Sequence, residues 1–266
     1  MMQEVVELQI GQFALIYLLL LIVLFVMRKC RIHQTKLLFV ASIRMTVQLV
    51  LAGLILTYIF EYPHPIFTVL YFVVMTGFAI HRVLSKNKGL NRRFQWAIAC
   101  SLTVSGLFVL VFFIVVVVGE SIFNPQYVIP IGGMIMGNAM TGMTLGIKTF
   151  QESFQGQRSK IETLLNFGVS PKKILLPHVN QSLETALLPT LNSMVGMGIV
   201  SLPGMMTGQI LSGTLPMTSI FYQIAIMIAM CTVVCVSVFG ALYFGYQSLY
   251  NEKNQILLFQ KDQGLR

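Results

Sequence analysis

Residues 96–118, WAIACSLTVSGLFVLVFFIVVVV, form a run without a single charge. Its closing valines, 115–118, favour strands by propensity, yet the run matches the roughly 20 residues that carry a helix across bilayer hydrocarbon. A strand with an open edge would leave N–H and C=O groups unsatisfied in lipid, so the run reads as a membrane helix. Outward from it, apolar stretches bounded by charge clusters occupy Ile10 to Met27, Leu37 to Phe60, Pro65 to Leu84, Val128 to Ile147, Leu183 to Val200 and Met217 to Phe244. Together they predict an all-α polytopic membrane protein with about seven transmembrane helices. The count is six if the first run lies in the interface or the sixth folds back.

The composition agrees. Of 266 residues, 56% are apolar and 10% charged, which excludes an ordinary soluble domain and leaves little chain for a soluble catalytic one. The 18 Lys and Arg outnumber 9 Asp and Glu, and their placement explains the excess. All but Arg44 fall in the segments after the first, third and fifth runs, at the end of the third run (Arg82) or in the C-terminal tail, whereas Glu4, Glu7, Glu61 and Glu120 fall on the alternate side. This distribution predicts an outside N-terminus and a cytoplasmic C-terminus, with no nucleic-acid partner needed. The acidic start MMQEVVELQ lacks the pattern of a cleaved secretory signal, so the first apolar run is expected to be retained. Cys30, Cys100, Cys231 and Cys235 show no disulfide or zinc-ribbon spacing.

The chain reads as one transmembrane domain over 1–266, with one large cytoplasmic segment at 148–178. In it Phe150, Phe154, Ile161, Leu164 and Leu165 follow helical spacing, Gly168 breaks the helix, and Ser170 with Pro171 starts a second. Two readings of this segment stand: a helix lying on the membrane surface with its lysines at lipid phosphates, or a lever that docks a soluble partner. Lys172 and Lys173 at a helix start oppose the macrodipole, which leans toward an external task.

Polar groups inside apolar runs mark the candidate path. Arg44 and Gln48 lie one turn apart in the second run; Arg44 serves either as a gate or anion-holding group or as a clamp to Glu184. The fifth run carries Asn138 and Thr141 among methionines, with Gly133/Gly137 and Gly142/Gly146 as small-xxx-small pairs. Such a mixture serves a helix interface or a translocation surface, and its thioethers could meet a soft metal or simply fill space. The charge-free stretch 186–227 is interrupted by Pro189, Pro203 and Pro216 and by several glycines. It reads as a re-entrant lining or a packed outer cap, with Thr207, Gln209 and Gln223 as its polar contacts. No GxxxxGK[ST], HExxH or GxSxG motif is present, so the chain is expected to be no enzyme and to hydrolyse no ATP. Cys231 and Cys235, one turn apart without His or carboxylate neighbours in sequence, make a poor metal site, and no metal ligand set is assigned.

The runs Arg44-Met-Thr-Val-Gln48-Leu49, Gly137-Asn138-Ala139-Met140-Thr141-Gly142, Leu188-Pro189-Thr190-Leu191-Asn192-Ser193-Met194 and above all SLPGMMTGQILSG at 201–213 resemble the bacterial iron-export ABC permeases. These are also known as the UPF0014 membrane proteins and include plant relatives linked to aluminium tolerance. The resemblance covers about residues 10 to 245. It implies a multi-pass subunit of the bacterial cytoplasmic membrane, paired with a separate cytoplasmic ATP-binding-cassette subunit in a two-plus-two complex around a permease homodimer. ATP and Mg would sit on the partner, with no cofactor on this chain. It further implies that Ile161, Glu162, Leu164, Leu165, Gly168 and Ser170 form the coupling segment. Arg44, Gln48, Asn138, Thr141, Asn192, Met205, Met206, Thr207, Gln209 and Gln223 would line the path or gate it. The interval from Glu162 to Gly168 matches that of importer permeases, but Leu176-Pro177 lies closer to the glycine, and no direction of transport follows. Three functions stay open: an exporter of iron or a related metal, the same machine for an organic or nucleotide-sugar cargo, and a scaffold or channel without an ATPase.

Overall fold

The computed structural model describes residues 11, 15–32 and 34–250. Among these the helices are α1 (Leu18–Lys29), α2 (Thr35–Glu61), α3 (Pro65–Lys86), α4 (Arg92–Phe112, continued by a π-helical turn Phe113–Val118) and α5 (Pro125–Gly156). There follow α6 (Arg158–Asn166), α7 (Pro171–Gly196), α8 (Gly204–Leu211) and α9 (Pro216–Tyr246, continued by a 3₁₀ turn to Leu249). Local chemistry sets their starts. Pro65, Pro125, Pro171 and Pro216 each open a helix, where a missing N–H costs nothing and φ is already helical. Asn91 Oδ1 accepts from Phe94 N at 2.8 Å and Asn124 Oδ1 from Gln126 N at 3.2 Å, capping α4 and α5. The π turn ends at Gly119, whose φ of +78° suits a residue without Cβ.

The described residues form two compact units, those within 1–63 with 211–213 and those within 64–210 with the described residues from 214 on. In the first, α1 lies against α2, and the Tyr17 hydroxyl is hydrogen-bonded to Thr46 Oγ1. In the second, α9 packs along α4, α5 and α7. At one end, Asn91 Nδ2 donates to Ser248 O at 2.9 Å, tying the start of α4 to the turn after α9, and Gln151 Nε2 donates to Lys88 O at 3.1 Å, tying α5 to the α3–α4 turn. This end carries Lys86, Lys88, Arg92, Arg93, Lys148 and Lys160. The opposite end holds Glu120, and there Thr68 Oγ1 donates to Phe123 O at 3.1 Å.

Five helices are long and apolar enough to cross a membrane among the described residues: 35–61, 65–86, 92–118, 125–156 and 216–249. The expected count of seven, or six, is therefore corrected to five. The first expected span, 10–27, is represented by the 12-residue α1, while residues 1–10 and 12–14 lie outside the described residues. The sixth, 183–200, belongs to α7, which stops at Gly196 and carries Lys172, Lys173, His178, Asn180, Gln181 and Glu184 with two internal prolines. Its covering is protein along much of its length: Ser182, Ala186 and Thr190 are buried, and the helix runs beside α5 and α9. The expected C-terminal tail and its basic residues beyond 250 also lie outside the described residues.

The core of the second unit is built on glycine. A Cβ on Gly142 would stand 2.5 Å from Val234 Cγ1, and one on Gly146 would stand 2.9 Å from Val238 Cγ1 and 3.2 Å from Ala186 Cβ. The pair Gly142/Gly146 thus brings α5 onto α7 and α9 at once, as small residues do where lipid offers no hydrophobic drive. The pair Gly133/Gly137 does not: Gly137 has nothing within 4 Å, and Gly133 meets only Met75 Sδ at 3.9 Å. Gly146→Val is expected to lower stability by about 1–3 kcal/mol through overpacking. Gly137→Ala should leave it level or raised by about 0.5–1 kcal/mol through helix propensity. Thermal unfolding of the two purified variants in one detergent compares them directly, and equal melting temperatures would remove Gly146 from its packing role.

Candidate functional site

Two places in the second unit combine exposed or cavity-lining chemistry. The first is a chamber of about 470 Å³ between the C-terminal turns of α7, the 197–203 turn, α8 and the first turns of α9. Met194, Met197, Met206 and Met227 supply its flexible wall, and Gln223 faces into it. Gln223 is buried and its amide makes no hydrogen bond among the described residues. The wall needs a tight turn to form: Gly198 sits at φ +82° and its N–H donates to Ser201 O at 2.9 Å, folding the chain back from α7 toward α8. Along α9, Gln223, Met227 and Met230 follow at i, i+4 and i+7 on one face. Asn138 on α5 reaches the last of them, donating to Met230 Sδ at 2.8 Å and to Met134 O at 2.9 Å. The chamber is thus apolar and polarisable, with one unpaired amide. It can hold a soft cation, a ligand-wrapped ion or an organic group, and has no carboxylate cage for a bare hard cation. No group of three or more His, Cys, Asp or Glu able to hold a metal occurs among the described residues.

Of the path residues expected from sequence, Met206 and Gln223 line this chamber and Asn138 adjoins it through Met230. Met205 packs beside the core instead, and Thr207 Oγ1 donates to Pro203 O at 3.0 Å, stitching the start of α8. Gln209 O accepts from Thr214 N at 2.9 Å, closing the turn before α9. Thr141 and Asn192 are exposed, Thr141 Oγ1 bonding its own helix at Gly137 O. Arg44 and Gln48 belong to the other unit, one turn apart on an exposed face of α2. The sequence reading missed Met194, Met197 and Met227 as lining residues. Their spacing, three apart across the end of α7 and four from Gln223 on α9, held the signal, but sixteen methionines in the chain diluted it.

The second place is the elbow at the basic end. α5 runs through Phe154 to Gly156, so the expected single amphipathic helix is divided at Gln157, and α6 is a separate nine-residue piece. The elbow after α6 is a Schellman motif: Val169 N donates to Leu164 O at 3.1 Å and Gly168 N to Leu165 O at 2.9 Å, with Gly168 at φ +79°. Ile161 is buried, and Leu164, Leu165 and Val169 pack against the core. Glu162 is engaged within α6, accepting from Arg158 Nε at 2.9 Å. Ser170 occupies the α7 N-cap in extended conformation but its side chain caps nothing, leaving Pro171 to start the helix. The apolar group left in solvent is Phe167, 80% exposed and absent from the sequence expectation. It borders a groove of about 540 Å³ with Lys160, Thr163 and Leu164.

At the base of the elbow Ser153 Oγ and His178 Nδ1 lie 2.6 Å apart, and Ser182 Oγ donates to His178 O at 2.6 Å. Burial, with the Lys160 charge adding to it, holds the His178 pKa below the ordinary imidazole value. The packed elbow therefore favours the neutral ring over the charged one.

The family model described as "Uncharacterised protein family (UPF0014)" matches residues 10–250. The chain is 28% identical over 251 residues to the UPF0014 membrane protein YjkA of Bacillus subtilis, covering 89% of this chain and 96% of that protein. It is 30% identical over 217 residues to the probable iron export permease protein FetB of Escherichia coli, covering 82% and 83% of the two. Protein ALUMINUM SENSITIVE 3 of Arabidopsis thaliana is 30% identical over 218 residues, 80% of this chain and 77% of its own. No solved structure matches the chain.

Two outcomes follow from the elbow. Gly168→Val forces a β-branched residue into left-handed backbone with open space around it, so the cost is backbone strain of about 1–2 kcal/mol or more, whereas Gly168→Asn is expected to stay near the parent. Limited proteolysis across 157–171 separates them; equal cleavage rates would show that the elbow is not held by its glycine. For His178, the lowered folded pKa means that stability is present above the unfolded value near 6.5 and is lost as pH falls through it. Melting temperature is expected to fall from pH 7 to pH 5 more steeply in the parent than in His178→Asn.

Proposed function

The chain belongs to the UPF0014 family, and from that premise we propose that it is the permease subunit of an ATP-driven exporter whose cargo is a metal ion, iron or a related one. The chain is a multi-pass membrane protein with transport-related kin, and it carries no phosphate-binding loop of its own. A cytoplasmic ATPase subunit supplies the energy in this reading, and two copies of each subunit make the working complex.

The observation that carries the proposal is Phe167 on the Schellman elbow. An aromatic ring 80% exposed at the basic end, on a turn stiffened by two backbone hydrogen bonds, is a ready anchor for a pocket on a soluble partner. The basic end faces the cytoplasm by the positive-inside rule. The elbow joins directly to α7, 26 residues and roughly 39 Å long, whose far turns supply Met194 to the chamber. Pro177 and Pro189 each remove a backbone hydrogen bond from α7 and give it two places to bend. Closure of the partner on Phe167 would tilt the near half of α7 and reshape the chamber wall at the other end. Ile161, Leu164 and Leu165 support the elbow from within, and Ser170 occupies the position before Pro171, which starts α7; none of them needs to touch the partner. Arg44 and Gln48 serve as a polar gate in their own span, since a guanidinium within apolar helix demands water or protein contact.

A second reading, an organic or sugar-nucleotide cargo, is favoured by the size of the chamber, which at about 470 Å³ far exceeds one bare ion. Reconstitution of the chain with its ATPase in liposomes, tested with ferrous iron and with sugar nucleotides, distinguishes the two by which cargo stimulates hydrolysis and accumulates. Failure of any ATPase to co-purify would leave the scaffold or channel instead.

Phe167→Asp removes the anchor without disturbing a packed side chain. The ATPase is expected to bind about 30-fold more weakly or worse, with the melting temperature of the permease unchanged. Gln223→Leu is expected to retain assembly and basal hydrolysis while cargo-stimulated hydrolysis needs about ten-fold more cargo, as for one lost polar contact. Parent-like binding by Phe167→Asp would move the docking site away from the elbow.

A further inference from the structure

A third cavity lies on the lipid-facing side of the second unit, distinct from both places above. It is a groove of about 490 Å³ between α4 and α9. Along α4, Arg93, Trp96, Ala97, Cys100 and Val104 follow at helical spacing, and along α9 Phe244, Gly240 and Val236 form a parallel stripe. The floor is low because α4 and α9 approach closely there: a Cβ on Gly240 would stand 2.8 Å from Ser101 Oγ. The walls stand out from it, with Trp96 70%, Val104 67% and Phe244 62% exposed.

The groove is polarised along its length. Arg93 sits at its basic end and makes no ion pair among the described residues, while everything beyond Trp96 is apolar or small. The head end is firmly placed, because Asn91 caps α4 and exchanges hydrogen bonds with Ser248 after α9. From Arg93 to Val104 the helix rises roughly 16 Å, about half of the ~30 Å hydrocarbon core and so the depth of one leaflet. Trp96, one turn in from Arg93, stands where indole rings collect, at the boundary of headgroups and chains.

An apolar trench one leaflet deep, with an indole and a guanidinium that has no ion pair among the described residues at its mouth, complements the shape and charge of an amphiphile with an anionic head. We propose that this groove is a binding site for an anionic glycerophospholipid of the cytoplasmic leaflet, its phosphate at Arg93 and one acyl chain along Val104 and Val236. A zwitterionic lipid would place a second, positive group near the same arginine. A second copy of the chain fits less well: a two-fold axis normal to the membrane would set Arg93 of each copy at one depth across the interface, without a countercharge. The site is independent of cargo and of the ATPase.

Trp96 is the only tryptophan in the chain, so it reports on the groove without labelling. The full-length protein is reconstituted in vesicles of one fixed mixture of phosphatidylglycerol and phosphatidylcholine, with bromine carried on the chains of one lipid or of the other. Quenching by brominated phosphatidylglycerol should exceed its mole-fraction share, reflecting about five-fold preference over phosphatidylcholine, as for one cation at the membrane surface. Arg93→Gln should abolish the preference and Val236→Phe, which fills the trench and keeps the charge, should reduce it. Lys88→Gln, with the same loss of net charge outside the groove, should retain it. Equal quenching by both lipids, or a preference that survives Arg93→Gln or disappears equally in Lys88→Gln, overturns the proposal. Shielding of Trp96 from both brominated lipids also overturns it and gives the groove to a second copy.

Discussion

Everything in the second unit rests on the approach of α5 to two helices at once. In lipid there is no water to expel from between apolar helices, so their association depends on contact area and on how closely backbones can come. Gly142 and Gly146 remove the side chains that would hold α5 away, and Val234, Val238 and Ala186 fill the space. Because α7 and α9 meet the same face of α5, the turns at their far ends are brought together as well. The methionine chamber is formed by those turns, so its existence follows from a glycine pair several turns away.

The same contact explains how a helix as polar as α7 finds its place. Its buried face carries Ser182, Ala186 and Thr190, small groups whose hydroxyls can be satisfied by their own helix, as Ser182 Oγ is by His178 O. The more polar Asn180, Gln181 and Glu184 are exposed around the basic half. Lipid alone would be a poor solvent for that sequence, whereas α5 and α9 supply a wall that tolerates it. This arrangement also suits a moving part, since a helix held by neighbours and interrupted by two prolines can tilt without exposing a long apolar stripe.

The elbow and the lipid-facing groove show opposite uses of exposed aromatic rings. Phe167 projects from a turn whose glycine has empty space around it, at the basic end and beyond the apolar spans, so its exposure is to water. Trp96 projects from the first turns of a span, where its exposure is to the membrane boundary. Burial alone does not separate them; position along the charge gradient of the molecule does. Both are anchored by short-range hydrogen bonding next to them, the Schellman pair at Phe167 and the Asn91 cap below Trp96.

Much of this was legible in the residues themselves. Long apolar runs announced α2, α3, α4, α5 and α9, because a bilayer demands that backbone groups be satisfied within one segment and that side chains be predominantly apolar over about 20 residues. Pro171 after Ser170 placed the start of α7, and Gly168 placed the end of α6, since each is decided by φ at one residue. The motifs around Asn138 and 201–213 identified the family. What sequence could not decide was which equivalent-looking feature would be used. Gly133/Gly137 and Gly142/Gly146 have the same spacing, but only the second pair meets neighbours; Phe167 and Ile161 are both apolar, but one is in solvent and the other in the core. The span count failed for a related reason: the apolar run 183–200 overruns the end of α7 at Gly196 into the following turn, and the helix to which it belongs is polar and charged over its first half. Which face meets which neighbour depends on contacts between residues far apart in the chain, and these are settled only when α4, α5, α7 and α9 have packed together.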